Sequence, residues 1–144
     1  MPRALWIVLC FSACTAADPD GSTDGPGASC EEAVDHSDLA WIQSNVFDRS
    51  CSTPSCHRGV ASNAGFLDLS GGRTHGSLVG VTSTSSASWK RIVPGDPSRS
   101  YILVAIGHIP GPLPIDGVMP LGGPMLCVEK RDAIQRWIEA GAQP

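Results

Sequence analysis

Three stretches of the chain carry apolar residues at three- and four-residue steps, the spacing of a helix with one buried face. In the first, Leu39, Ile42 and Val46 share a side of the segment from Asp38 to Asp48, which predicts a helix with Ser37 as its N-cap. The second begins in "GDPSRSYILVAIGH". Asp96 is placed to cap it, Pro97 suits its first turn, and Tyr101 to Ile106 supply the apolar face. The third is "CVEKRDAIQRWIEAGA", with Val128, Ile134, Trp137 and Ile138 on one side and Gly141 as the C-terminal stop. A shorter helix is expected from Thr74 through "HGSLVG", and "GFLDLS" reads as an extended piece. No other stretch gives a clear strand signal, so the pattern predicts a mainly α domain. Its first and last helices should pack through Leu39, Ile42 or Val46 against Ile134, Trp137 or Ile138.

The polar stretches divide the chain. Residues 15–29, "TAADPDGSTDGPGAS", offer only alanine as an apolar residue and read as a flexible tether. Before them, "MPRALWIVLCFSAC" has a basic start at Arg3, an apolar run from Ala4 to Phe11, and small residues ahead of Cys14. The run falls well short of the roughly 20 residues that span a bilayer, so it reads as an export signal. Small residues followed by cysteine resemble the lipobox of bacterial lipoproteins, in which that cysteine is lipidated and becomes the mature N-terminus. Phe11 stands where leucine is usual, and the other reading is plain cleavage after a small residue. The expected organisation is a signal in residues 1–14, a tether in 15–29 and one folded domain in 30–144. With Thr15 after Cys14, the expected destination is the outer membrane, facing the periplasm or the cell surface.

Composition adds two constraints. Gly 16 and Pro 12 in 144 residues mean that loops take up much of the fold. A net charge of −4, with basic residues only in isolated pairs such as Lys90-Arg91 and Lys130-Arg131, argues against a nucleic-acid partner. A domain of this size buries a modest core, so a disulfide or a covalent cofactor would help it considerably.

The chemistry lies in the cysteines. Of six, Cys10 falls within the signal and Cys14 at its end. Export brings the remaining four into an oxidising compartment. Cys30 and Cys127 sit just before the first helix and at the start of the last. If those helices pack, the two meet, so a Cys30–Cys127 disulfide is the economical pairing. Cys51 and Cys56 remain as a functional pair in "RSCSTPSCHRGV", with His57 directly after the second. A disulfide needs no neighbouring histidine. Zinc needs more ligands, and adjacent Cys56 and His57 would strain to face one ion. Covalent haem uses this grouping, though usually with two residues between the cysteines rather than four. Methionine is scarce: besides Met1 there are only Met119 and Met125. Met119 lies in the stiff loop "IDGVMPLGGPML".

Taken in order, "IQSNVFDRSCSTPSCHRG", "LDLS", "RIVPGDPSRSYIL", "VMPLGGPML" and "IQRWIEAGA" resemble the small class I-like cytochrome c domains of exported myxobacterial and planctomycete proteins. The resemblance covers roughly residues 38–142. It implies a cytochrome c-like domain of three or more helices with long Gly/Pro-rich loops. It implies one haem c, with Cys51 and Cys56 as thioether sites, His57 as proximal iron ligand and Met119 as distal ligand. The four-residue spacer departs from the family pattern; Ser52, Thr53, Pro54 and Ser55 are small or turn-forming and would bulge outward.

The resulting expectation is an electron carrier, not an enzyme, held to a membrane by a lipid anchor and exchanging electrons with redox proteins. The alternative is a haem-free, disulfide-stapled lipoprotein domain acting as a binding or scaffold module, with Cys51 and Cys56 bonded to each other. A zinc site built on Cys51, Cys56, His57 and a distant histidine is a further reading. Arg91 is a candidate partner for a haem propionate, or a surface residue. His75 and His108 are alternatives to Met119 as sixth ligand, and otherwise helix-end or solvent residues. His36 is expected to be exposed. Trp41, Trp89 and Trp137 are expected in the core or at the haem edge.

Overall fold

A computed structural model describes residues 30–59 and 65–144. The export-like segment, Cys14 and the tether lie outside the described residues. Among those described, the protein is helix-rich and has no β-strand; three isolated bridges, Val79–Ile92, Thr82–Lys90 and Lys90–Ser100, stand in place of a sheet. No described helix is long and apolar enough to cross a membrane.

The first helix, α1 (Leu39–Ile42), continues directly as a π-helical segment, Gln43–Cys51. Its cap is Asp38 rather than Ser37: the Asp38 carboxylate accepts the backbone N–H of Trp41 at 2.8 Å. The helical turns run three residues past the predicted end and stop at Cys51 itself. There the N–H of Ser52 donates to the carbonyl of Phe47, five residues back, at 2.7 Å. Ile42, Val46 and Phe47 are buried.

Two further short helices are α2 (Thr74–Leu78) and α3 (Tyr101–Ala105). The predicted second helix is split. Pro97–Arg99 form a 3₁₀ turn, and Ser100 breaks the path with φ −99° and ψ 106°. The buried Ser100 hydroxyl accepts from the N–H of Val93 at 2.9 Å and donates to the carbonyl of Asp96 at 2.8 Å. Asp96 therefore caps nothing with its side chain, which accepts from the Ser98 hydroxyl instead. The helix α3 lies in the core, with Tyr101, Ile102, Leu103 and Val104 all buried. "GFLDLS" pairs with no strand; it starts in a turn with Phe66 at φ 57° and leads to the buried Leu69.

The last helix, α4 (Val128–Glu139), packs on α1, on α3 and on a 3₁₀ turn at Glu31–Asp35. Ile42 and Val46 join Ile134, Trp137 and Ile138 in one core cluster, with Leu39 packed against its edge. Val128, expected on that face, points outward at 47 % exposure because it is the first residue of the helix, beyond the reach of α1. Gly141, at φ 96°, ends α4 as expected: its N–H bonds the carbonyl of Ile138, and that of Ala142 bonds Trp137.

Cys30 and Cys127 are disulfide-bonded with Cα atoms 6.2 Å apart, which ties the Glu31–Asp35 turn to the start of α4. The bond spans 97 positions, a loop for which the chain-entropy gain is about 4.7 kcal/mol as an upper value. Arg136 adds to the same junction by donating to the carbonyls of Ala33 (2.6 Å) and His36 (2.9 Å).

Trp137 is the largest fully buried side chain, and its indole N–H donates to the carbonyl of Gln143 at 2.7 Å. Replacing it with alanine should destabilise the domain by about 3–5 kcal/mol, read from urea unfolding midpoints. A loss under about 1 kcal/mol would mean that α1 and α4 do not close over the ring.

Candidate functional site: a cavity bordered by Cys51, Cys56, His57 and Met119

The four-residue spacer resolves into a closed turn. The N–H of Cys56 donates to the carbonyl of Thr53 (3.0 Å), and that of His57 reaches back to the carbonyl of Cys51 (3.0 Å). Pro54 and Ser55 are carried outward as expected, but Ser52 is buried, because it closes the π-helical segment beneath the turn. The Arg58 side chain braces the turn by donating to the carbonyl of Ser52 at 2.9 Å. Next, the N–H of Leu69 donates to the carbonyl of His57 at 2.7 Å. Leu69 is itself held through its carbonyl by the side-chain amide of Gln43 at 2.8 Å, whose oxygen accepts from Thr74. One glutamine thus ties the first helix, the Leu67–Leu69 segment and α2 to the back of the His57 turn.

The turn faces a cavity of about 450 Å³, within the usual range for small-molecule sites. Cys51, Cys56 and His57 border it, and so does Met119, 62 positions after His57 in sequence. The backbone of Met119 is fixed by its N–H, which donates to the carbonyl of Ala105 at the end of α3 (2.8 Å). Met125 is 49 % exposed and does not border the cavity. Apolar walls come from Leu67, Leu78, Ile102, Ala105 and the buried Pro114, and the exposed Ile115 and Leu121 border it too. Cys51 is partly buried and Cys56 is exposed, and neither is in a disulfide among the described residues.

One part of the wall is polar. Ser83, Thr84 and Ser85 lie there with Arg91 and Tyr101. Arg91, left open by sequence between a ligand-facing and a surface position, is buried at 8 % exposure. It donates to the carbonyls of Ser77 (2.7 Å) and Gly65 (2.6 Å), and no acidic side chain among the described residues is paired with it. Burial pushes its guanidinium below its ordinary pKa, though an arginine stays charged at neutral pH. Gly65 can approach only as glycine: φ is 65°, and a Cβ would meet the Thr84 hydroxyl oxygen at 2.5 Å. The buried hydroxyl of Tyr101 has no hydrogen-bond partner among the described residues. Trp89 packs edge-on against that ring, with centroids 6.1 Å apart.

The other candidates fall elsewhere. His108 bonds Gln135 (2.8 Å) and approaches Asp132, and His75 reaches the carbonyl of Ala142 (2.9 Å). Neither borders the cavity. His36 stacks on Trp41 with ring centroids 4.4 Å apart and is half-buried rather than exposed. Among the described residues, the group of metal-ligating side chains whose ligand atoms lie within 4.8 Å of one another is Cys30, Cys127 and Glu129, and its two sulfurs are joined in the disulfide. Cys51, Cys56 and His57 do not form such a group, so a preformed zinc site there is not favoured. Tyr101, the chain's only tyrosine, was hidden from sequence reasoning because it reads as one more apolar position of α3. The hydroxyl-rich run "VTSTSSASW" beside Arg91 was the available hint of a polar wall.

The chain matches no family model, no curated protein and no solved structure.

Behind the site, Asp68 is a buried carboxylate held below its ordinary pKa, first by the Ser70 hydroxyl (2.5 Å) and the Ser70 N–H (3.0 Å), and also by the Gly59 N–H and the nearby Arg73. Its folded pKa is depressed, so its contribution is full above the unfolded value near 3.9 and is lost as pH falls through the lower folded value. Asp68→Asn should therefore unfold at lower urea than the parent at neutral pH, with the gap closing below about pH 4. A gap that is the same at every pH would show that the charge contributes nothing.

Proposed function

We propose that this domain holds one covalently attached haem c and works as an electron carrier in the manner of the small class I-like cytochromes c. One observation carries the reading. Two cysteine side chains, the imidazole beside the second, and a thioether from a distant loop all border one mostly apolar cavity. The other two described cysteines are joined in a disulfide. The donor set suits haem c: Cys51 and Cys56 would hold it through thioethers, and His57 and Met119 would offer a nitrogen and a sulfur to its iron. When bound, haem contributes a one-electron ferric/ferrous couple, and a methionine axial ligand raises its potential.

The chain's own residues have definite tasks in this reading. The Cys51–His57 backbone bond sets the two thiols and the imidazole as one unit. The bond from Met119 to Ala105 keeps the thioether at the wall. Leu67, Leu78 and Ile102 keep water from the interior, and low polarity around a redox centre is one of the means by which a protein sets potential. The exposed edge near Cys56 and Ile115 gives redox partners an approach. Export, lipidation at Cys14 and an outer-membrane location belong to the same proposal and rest on sequence alone. The haem-free, disulfide-stapled scaffold shares the Cys30–Cys127 bond but leaves the cavity and its two thiols without a task.

The full chain co-expressed with a cytochrome c maturation system should be red, with the visible bands of a six-coordinate haem c and a methionine–iron charge-transfer band in the oxidised form. Met119→Ala should keep the haem, lose that band and lower the potential. Met125→Leu should keep the band. A colourless parent protein would overturn the electron-carrier reading; a Met119 variant that retains the band would overturn the distal ligand.

A further inference from the structure

Met119 hangs from a short helix whose own end is held by outside donors. The helix α3 has five residues, fewer than an isolated helix needs, and the carbonyls at a helix end have no partner within it. Here the N–H of Met119 donates to the carbonyl of Ala105, the last residue of α3, at 2.8 Å. Two residues on, the Arg131 guanidinium donates through Nη1 to the carbonyl of Gly107, also at 2.8 Å. Arg131 stands on α4, whose Ile134, Trp137 and Ile138 are fixed in the core.

The loop that carries Met119 rests on the same turn. The chain reverses at Gly107, with φ 67°. A Cβ there would come within 3.1 Å of Val118 Cγ1 and 3.3 Å of Met125 Cε, so residues before and after Met119 both press on this glycine. A second side chain ties the turn to α4: His108 Nε2 lies 2.8 Å from Gln135 Oε1 and 3.4 Å from Asp132 Oδ1. The contacts therefore run from α4 to the Gly107 turn, and from that turn to the residues on either side of Met119.

We infer that Arg131 is a positioning residue for Met119: from α4 it holds the Gly107 turn, and through that turn it sets how often the Met119 loop opens away from the cavity. The inference deepens the haem reading, in which Met119 is an iron ligand, and rests on it for that role alone. Arg131 does not border the cavity, so it acts only through the turn. Its bond is charge-assisted and therefore stronger than a bond between neutral groups. Arg136, further along α4, makes comparable bonds to the carbonyls of Ala33 and His36 at the other junction of the helix. It is the matched control, an arginine–carbonyl contact of the same helix with no link to the Gly107 turn.

The test uses the full chain produced with the haem maturation system. Amide hydrogen exchange, read by NMR, reports opening at the Met119 N–H itself, with or without haem. Arg131→Leu should speed that exchange about tenfold. Arg131→Lys, which keeps a charged donor, should recover most of the protection, and Arg136→Leu should leave it at the parental rate. Where Arg131→Leu fails to fold, Arg131→Gln takes its place with the same direction expected. In red protein the methionine–iron band reads the same opening. Added imidazole should displace Met119 at about one-tenth of the parental concentration in Arg131→Leu, and at the parental concentration in Arg136→Leu. A Met119 N–H that exchanges at the parental rate in Arg131→Leu, or that speeds equally in both leucine variants, overturns the inference. So does imidazole acting at the parental concentration in Arg131→Leu. The haem reading fails separately: a colourless parent refutes it, and amide exchange still decides whether Arg131 holds the loop.

Discussion

The site depends on one backbone hydrogen bond, from the N–H of His57 to the carbonyl of Cys51. It converts a four-residue spacer, which on sequence alone leaves the second thiol and the imidazole free to wander, into a turn of fixed shape. Both ends of that turn are anchored. Cys51 is the last residue of the π-helical segment, whose Val46 and Phe47 are in the core. His57 is held from behind by Leu69, which Gln43 holds in turn. The position of the chemistry is therefore set by the same packing that stabilises the domain, and a slip of the first helix against α4 would move both thiols.

Much of this was legible beforehand where a local rule and the core agreed. The spacing of Leu39, Ile42 and Val46 and of Ile134, Trp137 and Ile138 gave the right faces, and Gly141 gave the right stop. The even number of cysteines flanking the packed helices gave Cys30–Cys127. Reading failed where a side chain redirected the backbone. Asp38 outcompeted Ser37 because its carboxylate reaches the Trp41 N–H. Ser100 split the second helix by bonding both Val93 and Asp96, which no periodicity reports. Cys51, Cys56, His57 and Met119, which all border one cavity, stand in local motifs, whereas the burial of Arg91 and Tyr101 depends on contacts among residues 65, 77, 81, 90 and 101 that lie far apart in sequence.

The cavity itself joins opposite demands. Its walls are mostly apolar, yet Arg91 and the hydroxyl-bearing residues 83–85 line the same cavity. A disulfide-stapled scaffold needs neither. In the proposed carrier, low polarity near His57 and Met119 would favour the state of lower charge at the redox centre. The disulfide and the Arg136 bonds close the junction of the N-terminal turn and α4, and none of the residues that form them borders the cavity.

The central claim is covalent: both thiols of the Cys51–His57 turn carry the haem. Trypsin cuts after Arg49 and Arg58 and so releases residues 50–58 as one peptide containing Cys51, Cys56 and His57. Mass spectrometry of that peptide from matured protein is the most direct measurement. The account predicts a mass increase of one haem, with neither thiol open to alkylation before or after reduction. Recovery of the peptide without haem, as free thiols or as a Cys51–Cys56 disulfide, would contradict it.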